Sequence, residues 1–266
     1  KGEMSVTFSQ EHVYFAHQLA DTSKEILRKY FRKTTETKLK NDLSVVSVAD
    51  SEVESTLRNL IEKKFPDHGI IGEEFAIKKT SSEFEWIIDP IDGTGSFVTG
   101  KPTFGTLIAL VKNQKPIIGI IDQPINSERW VGEIYKKTTF NGKDASCSNK
   151  KNISEAYLDA TNPEMFSKKR YGQFWKLLKE VKLNRWGYDC YAYGMLASGY
   201  VDIVCETGLK IYDFVPLVPI IEGSGGIISD WNGKNLDISS DGSILAAANP
   251  ELHKKEINIF SEEILT

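Results

Sequence analysis

Short apolar runs alternate with longer segments of helical periodicity along most of this chain, and this alternation restricts the folds open to it. The first half carries two helical segments and then five runs of strand length. In the second half, runs of strand length and helical segments take turns almost to the end. Because helices and sheets must each bury an apolar face, this order predicts an α/β fold built from packed layers.

Two amphipathic helices are predicted near the start of the chain. The first covers residues 8–32, and polar residues 33–44 form a loop after it. The second should begin near Asp50 or Ser51, because Ser51 and Glu54 have the spacing of a capping box.

The other predicted elements follow from apolar runs and turn residues. Strands are predicted at residues 70–71, 86–88, 104–111, 117–121, 130–134, 156–160, 183–186, 201–206, 226–229 and 243–248. Helices are predicted at residues 167–181, 189–198 and 213–223, and after Pro250. The rhythm changes near residues 145–155, so we expect a single domain over residues 1–266 with halves of about 1–147 and about 148–266.

Composition narrows the possible partners and the compartment. A net charge of −4 lacks the basic excess typical of nucleic-acid binding, and no apolar stretch approaches the length of a membrane span. The three cysteines, Cys147, Cys190 and Cys205, show no C-x-x-C spacing. We therefore expect a cytoplasmic protein with neither a disulfide framework nor a zinc site, and with no nucleic-acid or membrane partner.

Three acidic segments suggest chemistry. They are IGEEF at residues 71–75, WIIDPIDGTGS at residues 86–96, and YD at residues 212–213. Carboxylates buried at a strand end are costly unless they are paired or bind a metal, and hard ions such as Mg²⁺ prefer oxygen ligands. The GTGS turn can also begin a short helix whose free N–H groups hold a phosphate. This combination suits metal-assisted chemistry on phosphate esters.

The same residues also have a purely structural interpretation. Asp89 and Asp92 can serve as turn and N-cap residues, and Asp213 can cap its own helix. The metal hypothesis requires the three segments to converge in space, which spacing alone does not show.

Taken in order, these motifs resemble the inositol monophosphatase superfamily. That superfamily includes inositol monophosphatases, fructose 1,6-bisphosphatases, nucleotide phosphatases and one type of histidinol-phosphate phosphatase. The similarity runs over nearly the whole chain, with anchors at residues 72–74, 86–96 and 186–226. It implies a layered α-β-α-β-α sandwich and a Mg²⁺-dependent phosphatase that hydrolyses a small phosphate monoester without a covalent intermediate. It also implies inhibition by Li⁺ and a homodimer.

The resemblance assigns metal-binding roles to matching positions. Two or three Mg²⁺ ions would be held by four carboxylates and one backbone carbonyl, those of Glu73, Asp89, Asp92, Asp213 and Ile91 respectively. The backbone amides of Gly93 and Thr94 would receive the phosphate.

Asp50, Thr94 and Glu73 are the catalytic residues that the resemblance implies. Asp50 would pair with Thr94, and the two would orient the attacking water. Asp50 ends the string VSVAD, in which Val48 replaces the usual acidic residue of the family. Asp50 also has the simpler interpretation of a helix cap.

The second half carries the expected specificity residues. The string GYDCYAY at residues 187–193 resembles the histidinol-phosphate phosphatase branch, as does ETGLKIYD at residues 206–213. Histidinol phosphate carries an ammonium and an imidazole, so Asp189 and Glu206, with Asp92, are the expected substrate-binding residues. Asp189 can also be read as a helix cap, and the position of Glu206 contacts substrate hydroxyls in inositol enzymes.

Three other functions stay open. The chain could hydrolyse inositol 1-phosphate or a broad range of sugar phosphates, or a bisphosphate nucleotide, although that last class usually needs a longer and more basic chain. It could also be an inactive relative that binds a phosphorylated ligand or a protein. No Cys-x5-Arg loop occurs, which argues against a cysteine phosphatase. The four histidines are expected at surface or helix positions away from the acidic segments.

Overall fold

A computed structural model describes residues 8–33, 37–39 and 45–261 of the chain. The helices are α1 (Gln10–Tyr30), α2 (Val48–Lys64), α3 (Thr94–Val98), α4 (Lys168–Glu180), α5 (Asp189–Ala197), α6 (Ile211–Phe214), α7 (Leu217–Gly223) and α8 (Pro250–Ser261). Short 3₁₀ helices cover Ile153–Glu155 and Pro163–Met165.

The strands form one large sheet, one smaller sheet and one short antiparallel pair. They are β1 (Thr37–Leu39), β2 (Val45–Ser47), β3 (Gly69–Gly72), β4 (Phe84–Asp92), β5 (Gly105–Lys112), β6 (Lys115–Gln123), β7 (Glu128–Glu133), β8 (Thr139–Phe140), β9 (Lys143–Asp144), β10 (Tyr157–Ala160), β11 (Leu183–Trp186), β12 (Ile203–Glu206), β13 (Ile227–Ser229) and β14 (Ile244–Ala247). All ten predicted strands are confirmed, at β3–β7 and β10–β14. The predicted loop 33–44 lies partly outside the described residues, and its described part contains β1.

Five layers make up the fold. The first sheet has seven strands in the order β3 to β9, and one of its faces is covered by α1 and α2. Its other face packs on the middle helices α5, α6 and α7, of which α5 and α7 also contact the second sheet, of order β11-β10-β12-β14-β13. Helices α4 and α8 cover the outer face of that second sheet. The predicted α-β-α-β-α sandwich is therefore confirmed.

Two glycines allow the middle helices to lie directly on the first sheet. Gly119 of β6 and Gly132 of β7 are register partners. A Cβ atom on Gly119 would lie 1.9 Å from the carbonyl oxygen of Pro216, and one on Gly132 would lie 2.4 Å from the backbone nitrogen of Ile220. Any larger residue at either position would push α7 away from the sheet and disturb α6, which carries Asp213.

Two predicted helix boundaries are wrong. The helix expected over residues 213–223 is split into α6 and α7, with Pro216 as the N-cap of α7, so Asp213 lies in the third position of α6. Helix α2 begins at Val48, which places Asp50 in its first turn. Ser51 and Glu54 then lie inside the helix, where they cannot form a capping box.

The histidines are only partly where the sequence places them. His12 and His17 lie on α1, and His253 lies on α8. His68, in contrast, is buried, and its Nδ1 atom accepts a hydrogen bond of 3.1 Å from Nε1 of Trp86. It is a core residue that pairs with the indole N–H.

The two sheets come from separate parts of the chain. The first ends at Asp144 and the second begins at Tyr157, so the predicted change near residues 145–155 coincides with the gap between them. The assignment of residues 1–266 to a single domain stays a prediction. Within the described ranges, no helix combines the length and apolar character needed to cross a bilayer.

Candidate active site

The candidate site forms where β4 ends and the middle helices begin. The pairing of β4 with β5 is irregular between Asp89 and Asp92, and such a bulge redirects the side chains that follow it. Gly93 comes next with a φ of 89°, in the left-handed region that favours glycine, and α3 begins at Thr94. The short helix α6 brings Asp213 to the same place.

Three carboxylates converge there. Asp89, Asp92 and Asp213 each offer one carboxylate oxygen, and these atoms all lie within 4.8 Å of one another. Asp89 is 1% exposed, and its Oδ1 atom accepts a hydrogen bond of 3.1 Å from the backbone N–H of Ile91. The turn role expected of Asp89 and its place in an acidic cluster are thus compatible.

Burial and mutual repulsion make this cluster electrostatically unfavourable by itself. Burial, followed by the charges of Glu73, Asp92, Asp213 and Asp50, raises the pKa of Asp89 well above its usual value. The pKa of Asp92 is likewise raised well above normal, first by burial and then by Asp189 and Asp213. Burial also raises the pKa of Asp213, although its Oδ2 atom accepts a hydrogen bond of 2.7 Å from the backbone N–H of Lys210. A bound cation would relieve all three effects.

The donor set fits a hard divalent ion. The clustered atoms are carboxylate oxygens, which Mg²⁺ prefers, and the cluster contains no imidazole or thiolate among the residues that the structure describes. Glu73 and Asp50 lie close enough to Asp89 for their charges to repel its carboxylate. All five acidic residues predicted for metal binding or water orientation therefore lie around one point.

The turn after β4 carries the expected phosphate-binding groups. The hydroxyl of Thr94 donates a hydrogen bond of 3.1 Å to the carbonyl oxygen of Ile91, the predicted backbone ligand. A hydroxyl has one hydrogen to donate, so donation to Asp50 would require Thr94 to release that carbonyl. The Thr94–Asp50 pair and the phosphate contacts of Gly93 stay predictions.

Val48, which stands where the family usually has an acidic residue, is 39% exposed at the start of α2.

Asp189 joins the cluster from α5. Its backbone φ is 46°, and its Oδ2 atom accepts a hydrogen bond of 3.1 Å from the hydroxyl of Ser96. Burial raises its pKa to about 6. The next backbone N–H, that of Cys190, donates a hydrogen bond of 2.5 Å to Oδ2 of Asp92. Tyr188 is the N-cap of α5 and Asp189 is its first residue, and the N-terminus of the helix is capped by the side chain of Asp92, so the interpretation of Asp189 as a helix cap is wrong.

Gly93 and Asp189 are in direct contact. A Cβ atom on Gly93 would lie 2.7 Å from Oδ2 of Asp189, closer than real atoms approach. Gly93 is thus needed twice, for its left-handed backbone and for the space that Asp189 occupies.

Glu206 lies at the end of β12 and is 2% exposed. Its carboxylate accepts hydrogen bonds of 2.8 Å from the backbone N–H of Thr161 and 2.8 Å from the hydroxyl of Tyr193. Burial raises the pKa of Glu206 to about 7, and these two hydrogen bonds act in the opposite direction. Tyr193 therefore positions Glu206.

A pocket of about 200 Å³ connects these groups, a volume that suits a small metabolite. Its lining consists of Asp92, Thr161, Met165, Asp189, Cys190, Tyr193, Glu206, Leu209 and Asp213. The sequence did not single out Thr161, Met165 or Leu209, because each reaches the pocket only through the fold. Ser96 was a nearer miss, since it ends the acidic motif itself.

Comparisons with known proteins agree with this geometry. Residues 9–265 match the inositol monophosphatase family. The chain is 43% identical to the chloroplastic bifunctional phosphatase IMPL2 of Arabidopsis thaliana, over 96% of this chain and 76% of that one. It is 31% identical to a histidinol-phosphatase of Chlorobaculum parvum, over 87% and 90% of the two chains.

Among solved structures, an inositol monophosphatase from Zymomonas mobilis superimposes with a TM-score of 0.88 at 37% identity. The match covers 96% of this chain and all of that one. The family match over nearly the whole chain, the shared fold and the acidic cluster lead to one conclusion: this chain belongs to the inositol monophosphatase family and is a metal-dependent phosphatase of small phosphate monoesters.

Proposed function

We propose that this chain is a Mg²⁺-dependent histidinol-phosphate phosphatase that converts L-histidinol phosphate and water into L-histidinol and phosphate, a step of histidine biosynthesis. The observation that carries the proposal is the charge of the pocket wall. Beyond the cluster of Asp89, Asp92 and Asp213, the wall adds Asp189 and Glu206, and none of the described lining residues is Lys or Arg. Such a wall favours a substrate with positive charge outside its phosphate.

The residues divide the work as follows. Glu73, Asp89, Asp92, Asp213 and the carbonyl of Ile91 hold two or three Mg²⁺ ions. When bound, Mg²⁺ supplies an attacking water of lowered pKa and stabilises the negative charge of the leaving oxygen. The backbone amides after β4 orient the phosphate.

The nucleophile and the substrate are held by separate groups. Asp50 and Thr94 hold and orient the attacking water. Because phosphoryl transfer depends mainly on positioning and charge, no covalent intermediate is required.

The cation-binding groups lie next to the metal cluster. Ser96 fixes the Asp189 carboxylate at 3.1 Å, and Tyr193 and Thr161 fix that of Glu206. We expect one of these acids to receive the ammonium and the other the imidazole of the substrate. A neutral inositol ring offers hydroxyls to the same acids but no charge.

The names of the relatives point to two candidate substrates. The Chlorobaculum protein is named a histidinol-phosphatase, and the Zymomonas structure is named an inositol monophosphatase. Inositol 1-phosphate, or a broad range of small phosphates, is therefore the second candidate. A homodimer, inhibition by Li⁺ and a cytoplasmic location are further predictions from the family resemblance.

The deciding experiment measures phosphate release with Mg²⁺ from L-histidinol phosphate and from inositol 1-phosphate, side by side. We expect kcat/KM to be at least about tenfold higher for L-histidinol phosphate, since a charged hydrogen bond contributes roughly 1.5–3 kcal/mol. A preference for inositol 1-phosphate would overturn the substrate proposal and leave the phosphatase assignment intact.

A matched pair of variants locates the cause. Asp189→Asn keeps the size of the side chain and removes its charge, so kcat/KM for L-histidinol phosphate should fall by about 10- to 100-fold. Turnover of inositol 1-phosphate should change much less. Equal losses on both substrates would show that Asp189 does not recognise a cation. Asp202→Asn, which removes another buried carboxylate beyond the pocket, is the control.

A further inference from the structure

We propose that Glu54 and Arg58 of α2 form a positioning clamp that holds the backbone around Glu73 and so sets the affinity of the metal site. This inference rests on the proposed role of Glu73 as a metal ligand. Glu54 touches neither metal nor substrate in this scheme, and it acts through the loop that follows β3.

The Glu54 carboxylate is fully buried and saturated with donors. It is 0% exposed and accepts hydrogen bonds from the backbone N–H groups of Glu74 at 2.6 Å and Phe75 at 3.2 Å. Its Oε1 atom also accepts a hydrogen bond of 2.7 Å from Nε of Arg58, one helical turn away. A buried charge with three donors, one of them a cation, is well compensated.

These hydrogen bonds act directly on Glu73, the first residue after β3. The N–H of Glu74 belongs to the planar peptide unit that starts at the carbonyl of Glu73, so fixing that N–H restricts ψ of Glu73. Arg58 adds a second restraint, because its terminal N–H donates a hydrogen bond of 3.1 Å to the carbonyl oxygen of Phe75. The hydrogen bonds of Glu54 and Arg58 thus hold the three consecutive peptide units that follow Glu73, and so fix the backbone from which the Glu73 side chain projects.

Gly72 shows how closely the clamp fits. A Cβ atom on Gly72 would lie 2.1 Å from Oε1 of Glu54. Only glycine leaves room for the carboxylate to reach under the loop, so the glycine of the GEE motif is explained by Glu54 and not by a turn conformation.

Helix α2 therefore serves the site at two successive turns. Asp50 and Glu54 are four residues apart and lie on the same face, and both are buried. Asp50 lies beside Asp89, whose pKa it helps to raise, while Glu54 anchors the segment that carries Glu73. A single rigid helix thus couples the water-orienting residue to a metal ligand.

Metal affinity of the metal-free protein gives the direct test. We would titrate Mn²⁺ into the wild type and the Glu54→Gln variant by calorimetry. Glutamine keeps the shape but presents an N–H₂ group to one of the backbone donors. Groups that orient metal ligands typically contribute 10- to 100-fold in affinity, so the dissociation constant for Mn²⁺ should rise by about that factor.

Two further variants make the result specific. Arg58→Met leaves the two backbone bonds of Glu54 and should weaken Mn²⁺ binding less than Glu54→Gln. Asp202→Asn is the matched control, because Asp202 is also 0% exposed and accepts bonds from Lys150 at 2.9 Å and from the backbone N–H of Tyr157 at 2.7 Å. It should bind Mn²⁺ within about twofold of the wild type.

Hydrogen exchange of the same metal-free proteins follows the loop itself. The amides of Glu74 and Phe75 should exchange faster in Glu54→Gln than in the wild type, while those of Asp202→Asn should not change. In turnover assays, Glu54→Gln should need more Mg²⁺ for half-maximal rate and recover most of its kcat at saturating Mg²⁺. A general loss of stability would lower the active fraction without this shift.

The outcomes separate the two proposals. If the wild type fails to bind Mn²⁺, the metal site of the proposed function is overturned. If the wild type binds Mn²⁺ and Glu54→Gln binds it equally well, the clamp alone is overturned.

Discussion

Two groups of acidic side chains lie at the same end of the first sheet, and their charges are compensated in different ways. The balanced group is Asp122 with Asp21, and the unbalanced group is Asp89, Asp92, Asp189 and Asp213. Asp92 on β4 is the register partner of Gly105, and Asp122 on β6 is the partner of the next residue, Thr106. Neighbouring residues of a strand point to opposite faces, so the two acids face opposite sides of the sheet. Asp92 faces the middle helices, and Asp122 faces α1.

The face toward α1 supplies its own cations. Asp122 is 0% exposed, and its Oδ1 atom lies 2.6 Å from Nε of Arg129 and 3.9 Å from Nζ of Lys24. Arg129 also contacts Asp21 at 2.7 Å and Nδ1 of His17 at 3.1 Å. Burial still raises the pKa of Asp122, but the Arg129 charge acts against that rise.

The face toward the middle helices has no such balance. In the described part of the chain, no Lys or Arg side chain forms an ion pair with Asp89, Asp92, Asp189 or Asp213. The charge of Lys210 acts on Asp213, but burial outweighs it and the pKa of Asp213 stays raised. The nearest charges that act on Asp89 are all acidic. The balanced group therefore contributes to the stability of the fold through its own ion pairs. The unbalanced group is suited to bind cations from solution.

The largest effect that follows is on turnover. Asp89→Asn removes the most buried member of the unbalanced group and should reduce turnover with Mg²⁺ by about a thousandfold or more, because a catalytic metal supplies several kcal/mol. The metal-free variant should be at least as stable as the wild type, since like charges are relieved. Phosphate release and thermal unfolding in EDTA check both points, and near-normal turnover would remove the metal interpretation.

The balanced group should respond in the opposite way. Asp122→Asn leaves Arg129 without its buried partner and introduces an N–H₂ group where Oδ2 has no hydrogen-bond partner among the described residues. We expect unfolding to become easier by about 3 kcal/mol, with kcat and Mg²⁺ dependence close to wild type. Urea denaturation and steady-state kinetics test this, and a metal-affinity change as large as that of Asp89→Asn would erase the contrast.

Added Mg²⁺ should stabilise only those proteins in which the unbalanced group is intact. At a Mg²⁺ concentration one hundred times the dissociation constant, the wild type should gain about 2.7 kcal/mol and a rise in Tm of roughly 5–10 °C. Asp122→Asn should gain the same amount from its lower starting point, whereas Asp89→Asn should gain little. Thermal scans with EDTA and with Mg²⁺ provide the measurement. Equal gains in all three proteins would place the stabilising ion elsewhere.

The sequence predicted the longer elements because their pattern is local. All ten predicted strands exist, whereas β8 and β9 have two residues each, too few to show a period. The break between α6 and α7 was missed because residues 214–221 are all apolar, and Pro216 suits the start of a helix as well as it interrupts one.

Residues of the candidate site were predictable where they stand in one contiguous motif. They were not predictable where their role depends on contact with a segment distant in the sequence. Asp89 and Asp92 stand in one segment, and the order of three segments brought in Asp213 and Glu73. Glu54 shows the limit, because capping-box spacing and a clamp on a loop about twenty residues away look the same in sequence. The sequence likewise does not show that the charge of Asp122 is balanced, because only the fold places Arg129 beside it.

The smallest expected effect concerns Glu206, a pocket acid that forms no ion pair with any Lys or Arg of the described residues. Its pKa in the folded protein is about 7, above the usual 4.5, so the folded state holds a proton more tightly than the unfolded chain. This contribution to stability is complete below pH 4.5 and is lost as the pH rises through 7.

Glu206→Gln removes the titration but keeps both contacts, because the amide oxygen can accept from Thr161 and the N–H₂ group can donate to the hydroxyl of Tyr193. In EDTA, the free energy of unfolding of the wild type should therefore fall relative to the variant by roughly 1–3 kcal/mol between pH 5 and pH 8. Urea denaturation at these two pH values measures the difference. A difference that does not change with pH would mean that Glu206 ionises at no cost, and the pocket wall would then belong with the balanced group of Asp122.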